Sequence, residues 1–481
     1  MKYIQYFTLL LLVGGLSTGC FDDNDDVPRE SGTSEINSFI WRGMNAFYVY
    51  KAGVPNLAND RFSTNQELAN FTNSFNSPEE IFEALRTKEV DASSGKPVDD
   101  FSFLVDDYVR LEQAFDGVTR NNGMEFGLVQ YPDGSANVFG YVRYVLPDTD
   151  AETKNIQRGN IFNTIDGTQI TTTNFRDLIA PDSYTIGLAT FDGSTVTPTG
   201  ESVALTKVEY TENPVFLSKT IMVGGNPVGY IMYNAFTGDF DDELNIAFGD
   251  LKSAGVTDLI LDLRYNGGGS TETAKDLASM ITGQFNGEIF TTEEWNADRQ
   301  EQFGSINRFD NVTGNDNDLP INSLNLSRVY ILTTRSSASA SELVINGLSP
   351  YINVIQIGGT TRGKFQASVT LYDTNNFGRQ GAEIAGHTYA MQPLVLRSLN
   401  SEGVSDYFDG LAPNITIQED LTNLGVIGDE NEPLLKAAID QIAGTATAAS
   451  TKIFESSLKN IGDSNMLDIN YERMYRDINN E

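Results

Sequence analysis

In the stretch SEINSFIWRGMNAFYVY, apolar residues fall at Ile36, Phe39, Ile40, Met44 and Phe47, steps of three and four that predict an amphipathic helix. A second helix is predicted at SPEEIFEALR, with Ser77 as N-cap, Pro78 at the first position and Glu80 completing a capping box. A third is expected around Phe103 to Ala114, so residues 34–112 read as a small helical domain. From about residue 113 the period changes. EFGLVQY, ANVFGYVRYVL, GNIFNTIDGTQI and YTIGLATF are short β-rich runs separated by turn residues, with a short helix at TNFRDLI. Residues 113–208 therefore read as a β-rich domain.

From about residue 220, strand and helix patterns alternate. VGYIMYNAF, DLILDL, RVYILTT and INVIQIGG are strand-like. DDELNIAFGDLKSAG places Leu244, Ala247, Phe248 and Leu251 on one helical face, and STETAKDLASMIT is a second amphipathic segment. Such alternation predicts a parallel α/β core, here over residues 215–420. A polar insertion at about 283–327 interrupts it, and its DNVTGNDNDLP run lacks the order and terminal Glu of a calcium loop and is expected to be solvated. Residues 421–481 are expected to hold one helix, EPLLKAAIDQIA, then an Ala/Ser/Thr linker and a polar end.

The composition narrows the class. With 66 acidic and 32 basic residues the formal net charge is −34, a surface that repels phosphate backbones and excludes nucleic acid as a partner. The first twenty residues, MKYIQYFTLLLLVGGLSTGC, have Lys2 ahead of an apolar stretch from Phe7 to Leu16 that is half of what spans a bilayer, the pattern of a signal peptide. Cys20 is the single cysteine, so no intramolecular disulfide forms. Its place after LSTG resembles the lipobox of bacterial lipoproteins, with Ser17 where an aliphatic residue is usual. That resemblance implies a leader at 1–20, lipidation at Cys20, an acidic linker at 21–33, and an outer-membrane lipoprotein of a Gram-negative cell envelope on its periplasmic or cell-surface face. FDDNDD resembles the acidic stretch that sends some such lipoproteins to the outer surface.

The chemistry is concentrated in RSSASASELVINGL, Arg335 to Leu348. Serine is disfavoured inside helices and favoured at their starts, so the run reads either as a polar cap or as a nucleophile held at a helix N-terminus. A nucleophilic serine needs a base. The single histidine, His387, sits in a strand-like run, AGHTYAMQPLVL, without turn chemistry, and is expected to be structural. The other candidate base is Lys364, in the Gly-flanked turn GTTRGKFQAS. A lysine desolvated enough to be neutral serves in Ser-Lys pairs.

SASASE followed by GGTTRGK resembles the nucleophile and lysine motifs, S-A-S-E and G-E-x-T-x-G-K, of the carboxyl-terminal processing (tail-specific) serine peptidases. The family's spacing selects Ser339, 25 residues before Lys364, and leaves Ser336, Ser337 and Ser341 out of register. DLRYNGGG, Asp262 to Gly269, resembles the family's D-L-R-x-N-x-G-G motif, and DGLAPN resembles the close of its core. The resemblance implies a crotonase-like α/β peptidase core, with the backbone of Gly267 and Gly268 and the N–H of Ala340 as oxyanion hole. The family commonly has Gln four residues after the lysine. Position 368 is Ser, so either Ser368 or Gln366 orients the amine, or that member is missing. IQRGNIFNTIDGTQI resembles a PDZ segment, which implies a PDZ-like domain at 113–208 that takes the C-terminus of an unstructured protein or peptide substrate. The expectation is a multidomain, lipid-anchored serine endopeptidase that needs no metal or cofactor. The alternative is a peptide-binding surface lipoprotein of the same fold with lost or weak turnover.

Overall fold

The apolar runs of the second half are short and rich in β-branched residues, which suits buried strands better than helices. In the computed structural model, which describes residues 32–314, 318–446 and 458–476, they form a six-stranded sheet. Its order is Val215–Val223, Asn226–Tyr233, Asp258–Asp262, Arg328–Thr333, Asn353–Gly358 and Ile415–Thr416. The first pair is antiparallel and every later junction is parallel. Parallel neighbours need crossovers, and helices lie between the strands at Asp241–Ser253, Thr271–Thr282 and Ala340–Leu348.

Alternate strand residues point to opposite faces, and both faces are covered. Ile231, Leu259, Leu261, Val329 and Ile331 pack with Leu244, Phe248, Leu277 and Leu343 of the crossover helices. Tyr230, Ile260, Leu332 and Ile357 pack on the other side with Leu434, Leu435 and Ala438 of the helix Pro433–Ala443. The expected strands and helices of the α/β core are thus present.

The N-terminal helix Thr33–Phe47 buries Ile36, Phe39, Ile40, Met44 and Phe47, the face read from the sequence. These side chains join the same hydrophobic cluster as the sheet and its crossover helices, so the helical region has no separate core. Ser77 caps its helix through the Glu80 N–H at 3.3 Å, whereas the Glu80 carboxylate turns to the Asn76 N–H, so the expected capping box is half formed. The third expected helix starts later. Phe103–Val105 is a strand paired with Ala390–Gln392, and Asp107 then caps the helix Tyr108–Phe115 by accepting from the Val109 N–H at 3.0 Å.

The β-rich unit forms a separate sheet with its own core around Phe126, Val142, Phe162 and Ile186. A two-stranded ribbon, Val118–Asn121 with Val208–Thr211, joins it to the rest.

Two expectations are corrected. The 283–327 insertion is not all loop: Ile289–Trp295 pairs with Leu394–Asn400 and with Ile306–Arg308 in a second six-stranded sheet. Its polar composition is accommodated because Glu293 accepts from the Trp295 indole at 3.0 Å and from Asn307 at 3.1 Å. The polar end is also structured. Asn460–Asp463 extends the β-rich sheet, and Met474–Tyr475 lies in the second sheet between Gly269–Ser270 and Gln366–Ser368. The leader with Cys20, linker residues up to 31 and positions 315–317 of the DNVTGNDNDLP run lie outside the described residues. No described helix is long and apolar enough to cross a membrane.

Candidate active site

The serine run connects the strand Arg328–Thr333 to the helix Ala340–Leu348, and each serine in it has a different environment. Ser336 Oγ accepts from Arg143 at 3.0 Å. Ser337 Oγ donates to the Leu263 carbonyl at 2.7 Å and accepts the Thr334 N–H. Ser341 Oγ donates to the Asn266 carbonyl at 3.0 Å. Ser339 is the exception: it is fully buried, and its Oγ has no hydrogen-bond partner in the protein. Its backbone sits at φ 64°, ψ −116°, a conformation that a residue with a Cβ adopts only under strain. A strained serine on a sharp strand-to-helix turn is the geometry that presents a nucleophilic hydroxyl.

Glu342 fixes that turn. It lies three residues on, inside the first helical turn, and its fully buried carboxylate accepts the Ser339 N–H at 2.8 Å. The same oxygen accepts the Lys364 N–H at 2.9 Å, while the other accepts the Gly363 N–H at 2.7 Å and the Thr361 hydroxyl at 2.5 Å. One side chain therefore binds the serine turn to the lysine turn. Burial pushes the Glu342 carboxyl up, and these four donors oppose that only in part by favouring the charged form.

Lys364 is also fully buried. Its Nζ donates to the Glu472 carbonyl at 3.1 Å and lies 4.9 Å from the Phe101 ring centre. Burial holds its pKa well below the ordinary lysine value. The neighbouring Arg473 charge adds to the shift, against the opposing pull of Glu472, Asp99 and Glu342. A lysine so placed holds an amine that is ready to take a proton.

DLRYNGGG completes the site. Asn266 is fully buried; its amide donates to the Tyr233 carbonyl at 2.9 Å, and its backbone carbonyl accepts the Ala338 N–H as well as Ser341 Oγ. Gly268 stands at φ 111°, and a Cβ there would come within 2.5 Å of Ser339 Cβ and 3.1 Å of the Ala340 nitrogen. The glycine is required by that approach. Of the three expected oxyanion donors, the Gly268 N–H is turned to Asn266 Oδ1 at 2.9 Å. The Ala340 N–H stands at the first helical position, where no intrahelical acceptor exists.

Neither candidate third member reaches the lysine. Gln366 donates to the Tyr50 hydroxyl at 2.8 Å, and Ser368 bonds Gln392 and the Met474 carbonyl. The Lys364 amine is held instead by the backbone of Glu472, more than a hundred positions downstream, for which the sequence carries no local signal. Glu342 was legible as the fourth letter of a Ser-x-x-Glu capping pattern. His387 bonds Asp373 at 3.2 Å and accepts the Tyr389 N–H, with no bond to Ser339 or Lys364. Among the described residues, one carboxylate group has metal-like spacing, Glu272, Asp276 and Asp310, and the Lys275 ammonium already lies within it, 2.6 Å from Asp310.

Residues 227–405 match Peptidase family S41, and residues 35–103 match the Peptidase S41 N-terminal domain. The chain belongs to peptidase family S41. The carboxyl-terminal-processing protease of Picosynechococcus sp. is 25% identical to this S41 chain over 305 residues, 61% of this chain and 64% of that protein. The chloroplastic C-terminal processing peptidase of Tetradesmus obliquus is 23% identical over 255 residues, 50% of this chain and 52% of that protein. The matches thus span less than two thirds of the length of these curated relatives. A Bacteroides fragilis protein described as an S41 protease superposes with a TM-score of 0.62 at 25% identity, covering 85% of this chain and 98% of that one. The photosystem II D1 C-terminal processing protease superposes at 0.50 and 20% identity, with 86% and 99% covered, and supports the fold.

Glu342→Gln tests the link between the two turns. Whichever way the amide is set, its NH2 faces a backbone N–H, of Gly363 or of Ser339 and Lys364, that also donates. We expect a loss of about 1–3 kcal/mol in urea unfolding. Lys364→Met tests the charge state of the lysine. Between the low folded pKa and the normal unfolded one, the unfolded chain binds more protons at this site, so its contribution to stability rises with pH and is a cost at neutrality. The Met variant should be as stable as the parent or more so at pH 7, with the difference narrowing towards pH 10. Strong destabilisation at pH 7 would show a charged, paired lysine.

Proposed function

We propose that this S41 chain is a serine endopeptidase that cuts protein or peptide chains with a Ser339–Lys364 dyad. The observation that carries this reading is the strained Ser339, with its unpartnered hydroxyl, bound through one carboxylate to a desolvated lysine. The neutral Lys364 amine takes the Ser339 hydroxyl proton as Oγ attacks the scissile carbonyl carbon. The oxyanion is received by the backbone N–H groups of Gly267 and Ala340, while Gly268 shapes the turn and permits the close approach to Ser339. Lys364 then gives its proton to the leaving amine, and water, deprotonated by the same lysine, hydrolyses the acyl ester. For this the amine exchanges the Glu472 carbonyl for the serine hydroxyl.

The finer assignments belong to the same proposal. A crotonase-like core at 215–420 is supported by the parallel sheet with its crossover helices packed on one face. A PDZ-like role for 113–208 is supported by the strand Met124–Gln130, whose outer side takes an added strand, here Asn460–Asp463 of this chain, and so suits capture of a substrate C-terminus by sheet extension. Anchoring by lipid at Cys20, at the outer membrane, is supported by the leader pattern. One observation favours the peptide-binding reading without turnover: no side chain from Gln366 or Ser368 orients Lys364.

Ser339→Ala is expected to abolish hydrolysis of an unstructured peptide and labelling by a fluorophosphonate. Ser341→Ala should keep most activity, because the Asn266 carbonyl retains the Ala338 N–H. Equal loss in both would refute the register, and a parent that neither cuts nor labels would favour the binding protein. Cys20→Ser should move the protein from the membrane to the soluble fraction of cells, and a variant that stays with the membrane would rule out the lipid anchor.

A further inference from the structure

Ser339 and Lys364 are both fully buried, yet a peptidase must bring its nucleophile to a substrate chain. Part of the cover over the lysine, beside the Phe101 ring, is a segment of this same chain, residues 458–476. Its first part, Asn460–Asp463, pairs antiparallel with the edge strand Met124–Gln130, with Gly462 opposite Leu128 and Asp463 opposite Gly127. Further on, the Glu472 carbonyl takes the Lys364 amine at 3.1 Å, and the Glu472 side chain pairs with Arg362 at 2.9 Å. The Arg473 carbonyl lies against the glycine turn, only 2.6 Å from where a Gly268 Cβ would stand. Met474–Tyr475 then enters the second sheet parallel to Gly269–Ser270. Between these pairings the chain makes a short 3-10 helix, Ser464–Leu467, and a turn that ends at Glu472, φ 50°, and that turn lies against the lysine and the glycine turn. The two flanking pairings are of the kind by which peptides add to sheet edges.

We infer that residues 458–476 are a tethered occupant of the active site, held by strand pairing on either side of a turn, which a substrate chain must displace. The inference rests on the peptidase reading for what is displaced; the binding does not depend on turnover. The tether matters because it sets an effective concentration on the order of millimolar, so even weak docking keeps the site covered. Docking is both held and opposed from within. Asp463 pairs with Arg143 at 3.1 Å and Ser464 donates to Glu125 at 2.6 Å, while Asp468 faces Glu125 and Glu212 across a cavity that also holds Tyr144, with Lys207 and Tyr471 close by. Burial, with the neighbouring acids, pushes Glu212 up to about 8 and Asp468 up to about 7. Docking that raises these values is favoured at low pH, and that support fades as pH rises through them.

The test inserts a site-specific protease sequence between residues 446 and 458 of the full chain, so that the segment is cut free after folding. Removing it should raise kcat/KM on an unstructured peptide by about tenfold or more. In a Ser339→Ala background, a labelled peptide of residues 458–476 should bind the stripped protein, and the unstructured peptide should compete with it. That arm needs no hydrolysis, so binding with competition upholds the inference even if the parent proves inactive. Should the segment stay bound after cutting, Met474→Asp in the full chain, which places a carboxylate at a fully buried position, should raise the rate instead. A folded stripped protein, or a folded Met474→Asp protein, that loses activity would show the segment to be part of the machinery and would overturn the inference. So would peptide binding that the substrate does not compete.

Discussion

A single buried carboxylate holds this site together. Burying an ionised carboxylate is costly unless its lone pairs are filled, and Glu342 is filled by four donors from two chain segments. The serine turn and the lysine turn are therefore not free to drift apart without leaving that charge unsatisfied. This explains how Ser339 keeps a backbone conformation that its own side chain disfavours, at about 1–3 kcal/mol. Neighbouring contacts add to the constraint: Ser337 and Ser341 both bind carbonyls of the DLRYN segment, which brings the glycine turn against the nucleophile.

Beneath the glycine turn lies a second constraint of a different kind. Arg264 is fully buried, with its guanidinium on Asp262 and bidentate on Glu432, the residue that caps the helix Pro433–Ala443. Such a pair contributes little net stability, but losing one partner strands the other charge and costs about 3–5 kcal/mol. The turn that carries Gly267 and Gly268 is thus bound from below to a helix on the far face of the sheet.

Much of this was legible where the information is local. The helix face of Ile36 to Phe47 and the four core strands follow from periodicity, whereas the distinction of Ser339 from its neighbours comes from the family resemblance and its spacing to the lysine turn. The misses share a cause: each depends on partners distant in sequence. Glu293 looks like loop polarity until Asn307 and Arg476 are seen around it. Glu472 reaches Lys364 with a backbone carbonyl, which every residue possesses, so no residue type marks it. Gln366 looked suited to orient the lysine, but its amide is drawn to Tyr50 on the N-terminal segment. The sharing of one core between the N-terminal helices and the sheet is invisible for the same reason, since an apolar stripe does not name its partner.

The placement of residues 458–476 also bears on the order in which the molecule comes into being. Chains are made from the N-terminus and their domains fold in that order. Ser339, Glu342, Lys364 and the glycine turn are all synthesised before residues 458–476. Among the described residues, the pairing made furthest along the chain is also the one that lies against the lysine. On the inference drawn above, a newly made chain passes through an interval in which the serine and lysine turns are made and residues 458–476 do not yet lie against them.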